Sequence, residues 1–99
     1  MDGWVRQNSE YLRLRSFVLL LEMQGEENTR ILAEALKQAM TPRQLEMVRL
    51  YYLEQMNMRA IARKMGVNLS TVSRGIKSAR QKLNMCIELM AAGRRLGGD

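Results

Sequence analysis

The sequence predicts an all-α protein, a helical bundle that contains a helix-turn-helix. Apolar residues recur at spacings of three and four along most of the 99 residues, which is the period of a helix packed on one side. Capping residues precede these stretches, and Gly or Pro separates them. Residues 17–21 could form a strand by their periodicity, but nothing else in the sequence could pair with it. The strand alternative is therefore set aside.

The first predicted helix runs from about residue 8 to residue 24, with Asn8 or Ser9 as its cap and Gly25 after its end. Its apolar residues cover more than one face. Part of this helix must therefore be buried against something other than its own domain's core, or within a larger bundle. A second amphipathic helix follows over about residues 27–39.

The third predicted helix covers residues 42–54. Thr41 is a natural N-cap, Pro42 stands where its missing N–H costs nothing, and Gln44 completes the spacing of a capping box. The residues expected to reach the core from this helix are Leu45, Val48 and Tyr52, with Leu53 or Met56 beyond them.

The stretch 57–83 predicts the helix-turn-helix. Asn57 caps a short helix, Gly66 ends it in a left-handed turn, and Asn68 caps a second helix. Small Ala62 allows the two helices to cross closely. The stripes that pack across the turn are Ile61, Ala62 and Met65 on the first helix, and Val72, Ile76, Ala79 and Leu83 on the second.

The net charge of +6 lies on this motif. Segments 1–54, 55–87 and 88–99 carry −1, +7 and 0, and the middle segment contains no acidic residue. A basic domain of this kind indicates an anionic partner, and nucleic acid is the default. With the helix-turn-helix, the partner expected is double-stranded DNA. The alternative is a solvated basic face on an ordinary helical hairpin.

At 100° per residue, four side chains of the second helix lie opposite its apolar stripe. We expect these to contact bases, with Arg74 foremost, because a guanidinium can bond both O6 and N7 of guanine. The predicted base-contacting residues are Ser70, Arg74, Lys77 and Gln81. The predicted phosphate-contacting residues are Arg59, Arg63, Lys64, Asn68, Thr71 and Arg80.

Several blocks of the sequence resemble region 4 of bacterial RNA polymerase sigma factors, especially the extracytoplasmic-function type. The blocks are Thr41 to Gln44, Tyr52 to Glu54, Ile61-Ala62, Met65 to Val67, Thr71-Val72 and Ala79 to Leu83. The resemblance covers about residues 31–83. The DNA-binding domain of LuxR-type response regulators opens with a similar Thr-Pro-Arg, but its interval from the proline to Ile-Ala is usually one residue shorter.

The resemblance implies a four-helix DNA-binding unit that reads the promoter −35 element through its last helix and docks on the β-subunit flap of core RNA polymerase. Arg59 and Arg63 stand where the family often has acids, and Gln55 where glycine is common. Gly75 interrupts the recognition helix at a position that is often basic. It either permits a close approach or is a tolerated defect, and the defect is favoured slightly.

The domain organisation expected is an N-terminal packing or dimerisation helix in residues 1–30, a region 4-like domain in residues 31–92, and a flexible tail in residues 93–99. A sigma factor also needs a region that opens the promoter, for which these 99 residues have no room. We therefore expect a stand-alone small protein. The apolar stripe continues past Leu83 through Ile87 and Met90. This predicts either fold-back of the N-terminal helix onto it or, preferentially, a homodimer held by the N-terminal helix and the extension Asn84 to Met90.

Catalysis is not expected. The chain has no histidine, one cysteine, and ten carboxylates without a paired spacing suited to acid–base work or metal ligation, so neither an enzyme nor a cofactor or metal site is predicted. Cys86 is expected to be a small core residue. With neither a signal peptide nor a membrane span in the sequence, we expect a cytoplasmic location.

Two functions remain. The first is a sequence-specific DNA-binding transcription factor of the sigma region 4 type. The alternative is an interaction adaptor or anti-sigma-like partner of RNA polymerase that touches DNA weakly or never.

Overall fold

A computed structural model describes residues 8–23 and 27–97, with side chains over 8–23 and 30–93. Five helices make up these residues, and no strand occurs among them, which confirms the all-α prediction. The helices are α1 (Ser9–Met23), α2 (Glu27–Gln38), α3 (Pro42–Val48, continued by a π-helical turn Arg49–Leu53), α4 (Met58–Met65) and α5 (Leu69–Gly97). The predicted stop at Gln24 and Gly25 and the last two residues of the predicted tail lie outside the described residues.

The α1 helix begins as predicted and folds back onto its own chain. The Asn8 side-chain oxygen accepts hydrogen bonds from the backbone N–H groups of Glu10, at 2.9 Å, and Tyr11, at 3.3 Å. One side of α1 is buried among the other helices through Tyr11, Leu14, Phe17 and Val18. The predicted fold-back therefore occurs within one chain.

The third helix starts as predicted but does not stay an α-helix to Glu54. Thr41 Oγ1 accepts from Gln44 N at 3.0 Å, and Pro42 opens the helix. From Arg49 the helix widens into a π turn that ends at Leu53. The extra residue in that turn brings consecutive residues into the core. Buried residues of this segment are Met47, Val48, Leu50, Tyr51 and Tyr52. Val48 and Tyr52 were predicted, whereas Leu45 is only half-buried.

Contacts among three tyrosines hold α1 against the π turn. The ring centroids of Tyr11 and Tyr52 are 5.3 Å apart in a stacked pair, and Tyr51 meets both rings edge-on at 5.3 and 4.9 Å. The Tyr11 hydroxyl donates to the Tyr51 carbonyl at 2.8 Å. Burial raises the pKa of the Tyr52 phenol, and neighbouring Tyr51 raises it further. Each aromatic pair contributes about 0.5–1.5 kcal/mol beyond its area burial.

The helix-turn-helix forms where its turn chemistry predicts it. Asn57 Oδ1 accepts from Ala60 N at 2.7 Å at the start of α4. Gly66 ends α4 with φ 68°, and the following Val67 N–H donates to the Ala62 carbonyl at 3.0 Å. Ile61 and Ala62 are buried against α5, which supports the predicted close crossing. Met65 is half-buried at the rim of this contact.

Helix α5 is longer than predicted. It was expected to end at about Ala92, but it continues to Gly97, and Gly93 does not end it. Leu83 is buried, and Cys86, Ile87 and Met90 pack half-buried against the core of the same chain. The apolar stripe of α5 beyond Leu83 was expected to need burial by a second chain. It is packed instead against the core of its own chain. Burial also raises the pKa of the Cys86 thiol.

Gln55 adopts a left-handed backbone, with φ 56°, directly after the π turn. The chain reverses here, and the next N–H, that of Met56, donates to the Leu50 carbonyl at 2.9 Å. A side chain in this conformation strains the backbone, and glycine does not share the strain.

We expect Gln55→Gly to stabilise the protein by about 0.5–1 kcal/mol, since the relieved strain exceeds the added freedom of the unfolded chain. Gly66→Ala is the matched opposite. No atom lies within 4 Å of the added methyl, so its cost of about 1 kcal/mol arises from the backbone alone. Urea unfolding measures both changes. A Gln55→Gly variant that is less stable than the wild type would contradict the strain argument.

Candidate nucleic-acid interface

Over residues 70–81, one face of α5 is polar, exposed and free of acidic groups. The four side chains predicted to contact bases, Ser70, Arg74, Lys77 and Gln81, are all exposed on this face. The opposite face is fully buried, with Val72, Ile76, Ala79 and Leu83 at most 1% exposed. The core contact therefore fixes the direction in which the polar face points. Side chains one and two turns apart on such a face can follow successive base pairs in the major groove.

The flanking helix α4 adds exposed cations. Arg59 and Arg63 lie one turn apart on its outer side, and Lys64 is also exposed. At the start of α5, the Asn68 carbonyl accepts from the N–H groups of Thr71, at 3.1 Å, and Val72, at 3.3 Å. The Asn68 side chain is exposed and that of Thr71 is half-buried. These residues border the polar face of α5 on its N-terminal side.

Two of the seven basic side chains in residues 55–87 form an ion pair or hydrogen bonds with other residues of the chain. The Arg80 guanidinium lies 3.9 Å from a Glu10 carboxylate oxygen, beside Tyr52, in a concavity of about 500 Å³ between α1, the π turn and α4. Arg80 therefore lies on the α1 side of α5, beside the polar face, and its predicted phosphate contact stays a prediction. The Lys82 ammonium donates to the Ala39 carbonyl at 2.7 Å and to Gln44 Oε1 at 3.3 Å.

Gly75 marks a close approach of helices, so its interpretation as a tolerated defect is wrong. A methyl group added at this position would lie 2.5 Å from the Met47 sulfur. Met47 is itself buried, at 3% exposed, so it has little room to withdraw. The missing side chain therefore lets α3 lie directly against the recognition helix.

Gln44 bonds across the same crossing. Its side-chain amide donates to the Gly75 carbonyl at 3.0 Å, and its oxygen accepts from Lys82. The side chain thus binds the recognition helix, whereas the predicted capping box would direct it back to Thr41. Through Lys82 the same group of hydrogen bonds reaches Ala39, at the end of α2. Three helices are tied together behind the polar face.

Comparison with protein families decides the identity of the fold. The model of the family described as Sigma-70, region 4, matches residues 31–84, which is more than half of the chain. The chain belongs to the sigma-70 region 4 family. Searches of curated proteins and of solved structures gave no match.

The region 4 match begins in α2 and ends within α5, at Asn84. It contains the helix-turn-helix, the polar face of α5, Gly75 and the Gln44 hydrogen bonds. Helix α1 lies outside it. Region 4 is a DNA-binding, non-catalytic domain of transcription proteins, which agrees with the predicted class.

Two further findings concern metal ligands and membrane-spanning helices. In the part of the chain that the structure describes, no three His, Cys, Asp or Glu side chains come together as metal ligands. Over the same residues, no helix is both long and apolar enough to cross a bilayer.

Two residues that position this region 4 site were not found from the sequence. Gln44 was assigned to a cap and Lys82 to the general basic field, because a helical wheel of one helix does not show which neighbour lies across it. The signal available for Gly75 was the absence of a side chain at a position flanking the buried stripe. That signal fits a close crossing as well as a defect.

We expect Gly75→Ala to destabilise the protein by about 1–2 kcal/mol, although alanine favours helix, since the methyl group would overpack against Met47. The matched control is Gly93→Ala in the same helix, where no atom lies within 4 Å of the added methyl. That change should stabilise by up to about 1 kcal/mol through helix propensity. Thermal and urea unfolding compare the two. Equal gains in both variants would show that α3 does not restrict position 75.

Proposed function

We propose that this region 4 protein is a sequence-specific transcription factor that binds promoter DNA through α5. The observation that carries the proposal is the exposed polar face of α5, fixed in direction by a fully buried opposite face. A helix of this kind fits the major groove, which presents a different pattern of donors and acceptors for each base pair. The −35 element is the promoter site that family membership favours.

Within this face we assign base reading to Ser70, Arg74, Lys77 and Gln81. Arg74 contributes most, because two of its guanidinium N–H groups can donate to O6 and N7 of one guanine. The exposed cations of α4 and the residues at the start of α5 contact phosphates. These are Arg59, Arg63, Lys64, Asn68 and Thr71. Arg80 is not part of this proposal, because it lies against Glu10.

The number of cations available for DNA is smaller than the charge of the segment. Of the seven basic side chains between residues 55 and 87, Arg80 and Lys82 bind within the chain. Five remain exposed: Arg59, Arg63, Lys64, Arg74 and Lys77. If all five displaced counterions, log K would fall with log salt with a slope of about −4 to −5.

Core RNA polymerase is the second proposed partner, through the β-subunit flap. This part of the proposal rests on family membership. It predicts that the protein and polymerase bind promoter fragments together, with the polar face of α5 on DNA and another surface on the flap.

Arg74→Ala and Lys64→Ala separate base reading from phosphate binding. We expect Arg74→Ala to weaken binding to the preferred duplex by about 1–3 kcal/mol and to relax selection at one base pair. Lys64→Ala should weaken all duplexes alike and reduce the salt slope by about 1. Fluorescence anisotropy over a salt series, after selection of bound sites from random DNA, measures both effects.

The matched control is Arg49→Ala, which removes an equal charge from a half-exposed side chain that lies 3.6 Å from Glu22 of α1. It should leave DNA affinity within about twofold, since that guanidinium faces α1. Equal losses on specific and random DNA for Arg74→Ala would disprove its role in base reading. Absence of binding to any duplex at ~50 mM salt would disprove the proposed function itself.

A further inference from the structure

Helix α1 has a second apolar face that the chain leaves exposed. Its inner face, with Leu14 and Phe17, is buried in the core. On the outer side, Leu12 is 46%, Leu19 37%, Leu20 44% and Met23 74% exposed. Four large apolar side chains on one exposed surface within 12 positions are unusual for a soluble helix, because single scattered residues are the norm. The family match, residues 31–84, does not include this helix.

The outer face has the spacing of a coiled-coil seam. Leu12, Ser16, Leu19 and Met23 follow one another at intervals of four, three and four, which are the d, a, d and a positions of two heptads. Ser16 is exposed as well, so the seam is continuous on one side of α1. Its small side chain leaves space for a leucine from a facing helix.

The charged residues that flank the seam distinguish between the two orientations of a facing copy. Arg15 and Glu22 lie seven residues apart on one flank, at successive g positions. In an antiparallel pair, g positions face g positions, so Arg15 of each copy meets Glu22 of the other. A parallel pair would place Arg15 beside Leu20 instead. Opposite charges at facing positions favour the antiparallel orientation.

The antiparallel pair also matches the seam to itself. Leu12 then faces Met23 of the other copy, and Ser16 faces Leu19. The Arg15 Nε atom is buried without a hydrogen-bond partner among the described residues. On the other flank, the Arg13 guanidinium donates to Asn84 Oδ1 at 2.8 Å, and the aliphatic part of Arg13 can cover Leu20 of the facing helix.

We propose that the outer face of α1 binds a second copy of this chain, as an antiparallel, two-fold helix pair. The seam and its flanks complement themselves in size and in charge, which a surface built for an unrelated partner would not need to do. The dimer seam is Leu12, Ser16, Leu19 and Met23, with Leu20 on its flank. Helix α5 is not part of the proposed seam: Ile87 and Met90 are packed within the chain, and the exposed Met85 and Leu89 of α5 are tested separately below. The proposal does not depend on DNA binding.

Sedimentation equilibrium of the full chain without DNA tests the dimer. The wild type should give twice the chain mass of 11.5 kDa at ~100 μM. The variant Leu12→Glu with Met23→Glu places two glutamates against each other in each end layer and should give the mass of one chain. Both positions are among the more exposed of the face, so circular dichroism should show an unchanged fold.

The matched control is Met85→Glu with Leu89→Glu, which adds the same charge at two exposed apolar positions of α5, 61% and 65% exposed. This control should remain a dimer. A wild-type mass of one chain at ~100 μM would overturn the proposal. So would a dimer that survives the α1 substitutions, or one that dissociates with the α5 substitutions, because another surface would then hold it.

Charge exchange tests the antiparallel orientation. Glu22→Arg sets a second guanidinium against Arg15 of the other copy and should raise the dimer dissociation constant several-fold. Adding Arg15→Glu restores opposite charges and should return the constant toward the wild-type value. Both variants lose the Glu22–Arg49 ion pair, so the comparison cancels that effect. A second substitution that fails to restore dimerisation would overturn the antiparallel arrangement.

Discussion

The contact of α3 with α5 at Gly75 is the constraint on which the exposed polar face of α5 depends. Gly75 of α5 has no side chain, so the buried Met47 side chain can pack directly against it. At the same point the Gln44 side-chain amide donates to the Gly75 carbonyl. The crossing is thus specified both by steric fit and by a hydrogen bond. Because Val72, Ile76 and Ala79 are buried on the adjoining side, the helix can neither rotate nor slide without loss at one of these contacts. The outward direction of Arg74 and Lys77 follows from contacts on the far side of the helix.

The N-terminal helix completes the core in a different way. Tyr11 stacks on Tyr52 and donates its hydroxyl proton to the Tyr51 carbonyl, so α1 is held by ring contacts and one buried hydrogen bond. The π turn makes this arrangement available, since an ordinary α-helix would not bring Leu50, Tyr51 and Tyr52 to the same side. The strain at Gln55 accompanies this turn and lies at its exit.

The sequence was sufficient for everything that depends on local chemistry. Thr41, Asn57 and Gly66 each mark a helix end because their preference acts on their own backbone, and the stripe on α5 reports burial directly. Features that require knowledge of a neighbour were missed. The π turn packs against Tyr11 of another helix, and the positions of Arg80 and Lys82 depend on Glu10 and Ala39, all of them distant in sequence. A helical wheel of one helix does not distinguish the cations that bond to another helix from those that stay exposed.

The length of α5 has a mechanical consequence. Its 29 residues form one uninterrupted rod of roughly 43 Å, of which the end that carries Ser70 and Arg74 faces outward from the helix-turn-helix. Beyond Asn84 the rod still packs on the core, through Cys86, Ile87 and Met90, and the N-terminal helix contacts the same rod. One continuous helix therefore carries the exposed polar face near its start and this packing towards its end. A displacement of the packed end would move the polar face with it, because no break in the helix separates the two.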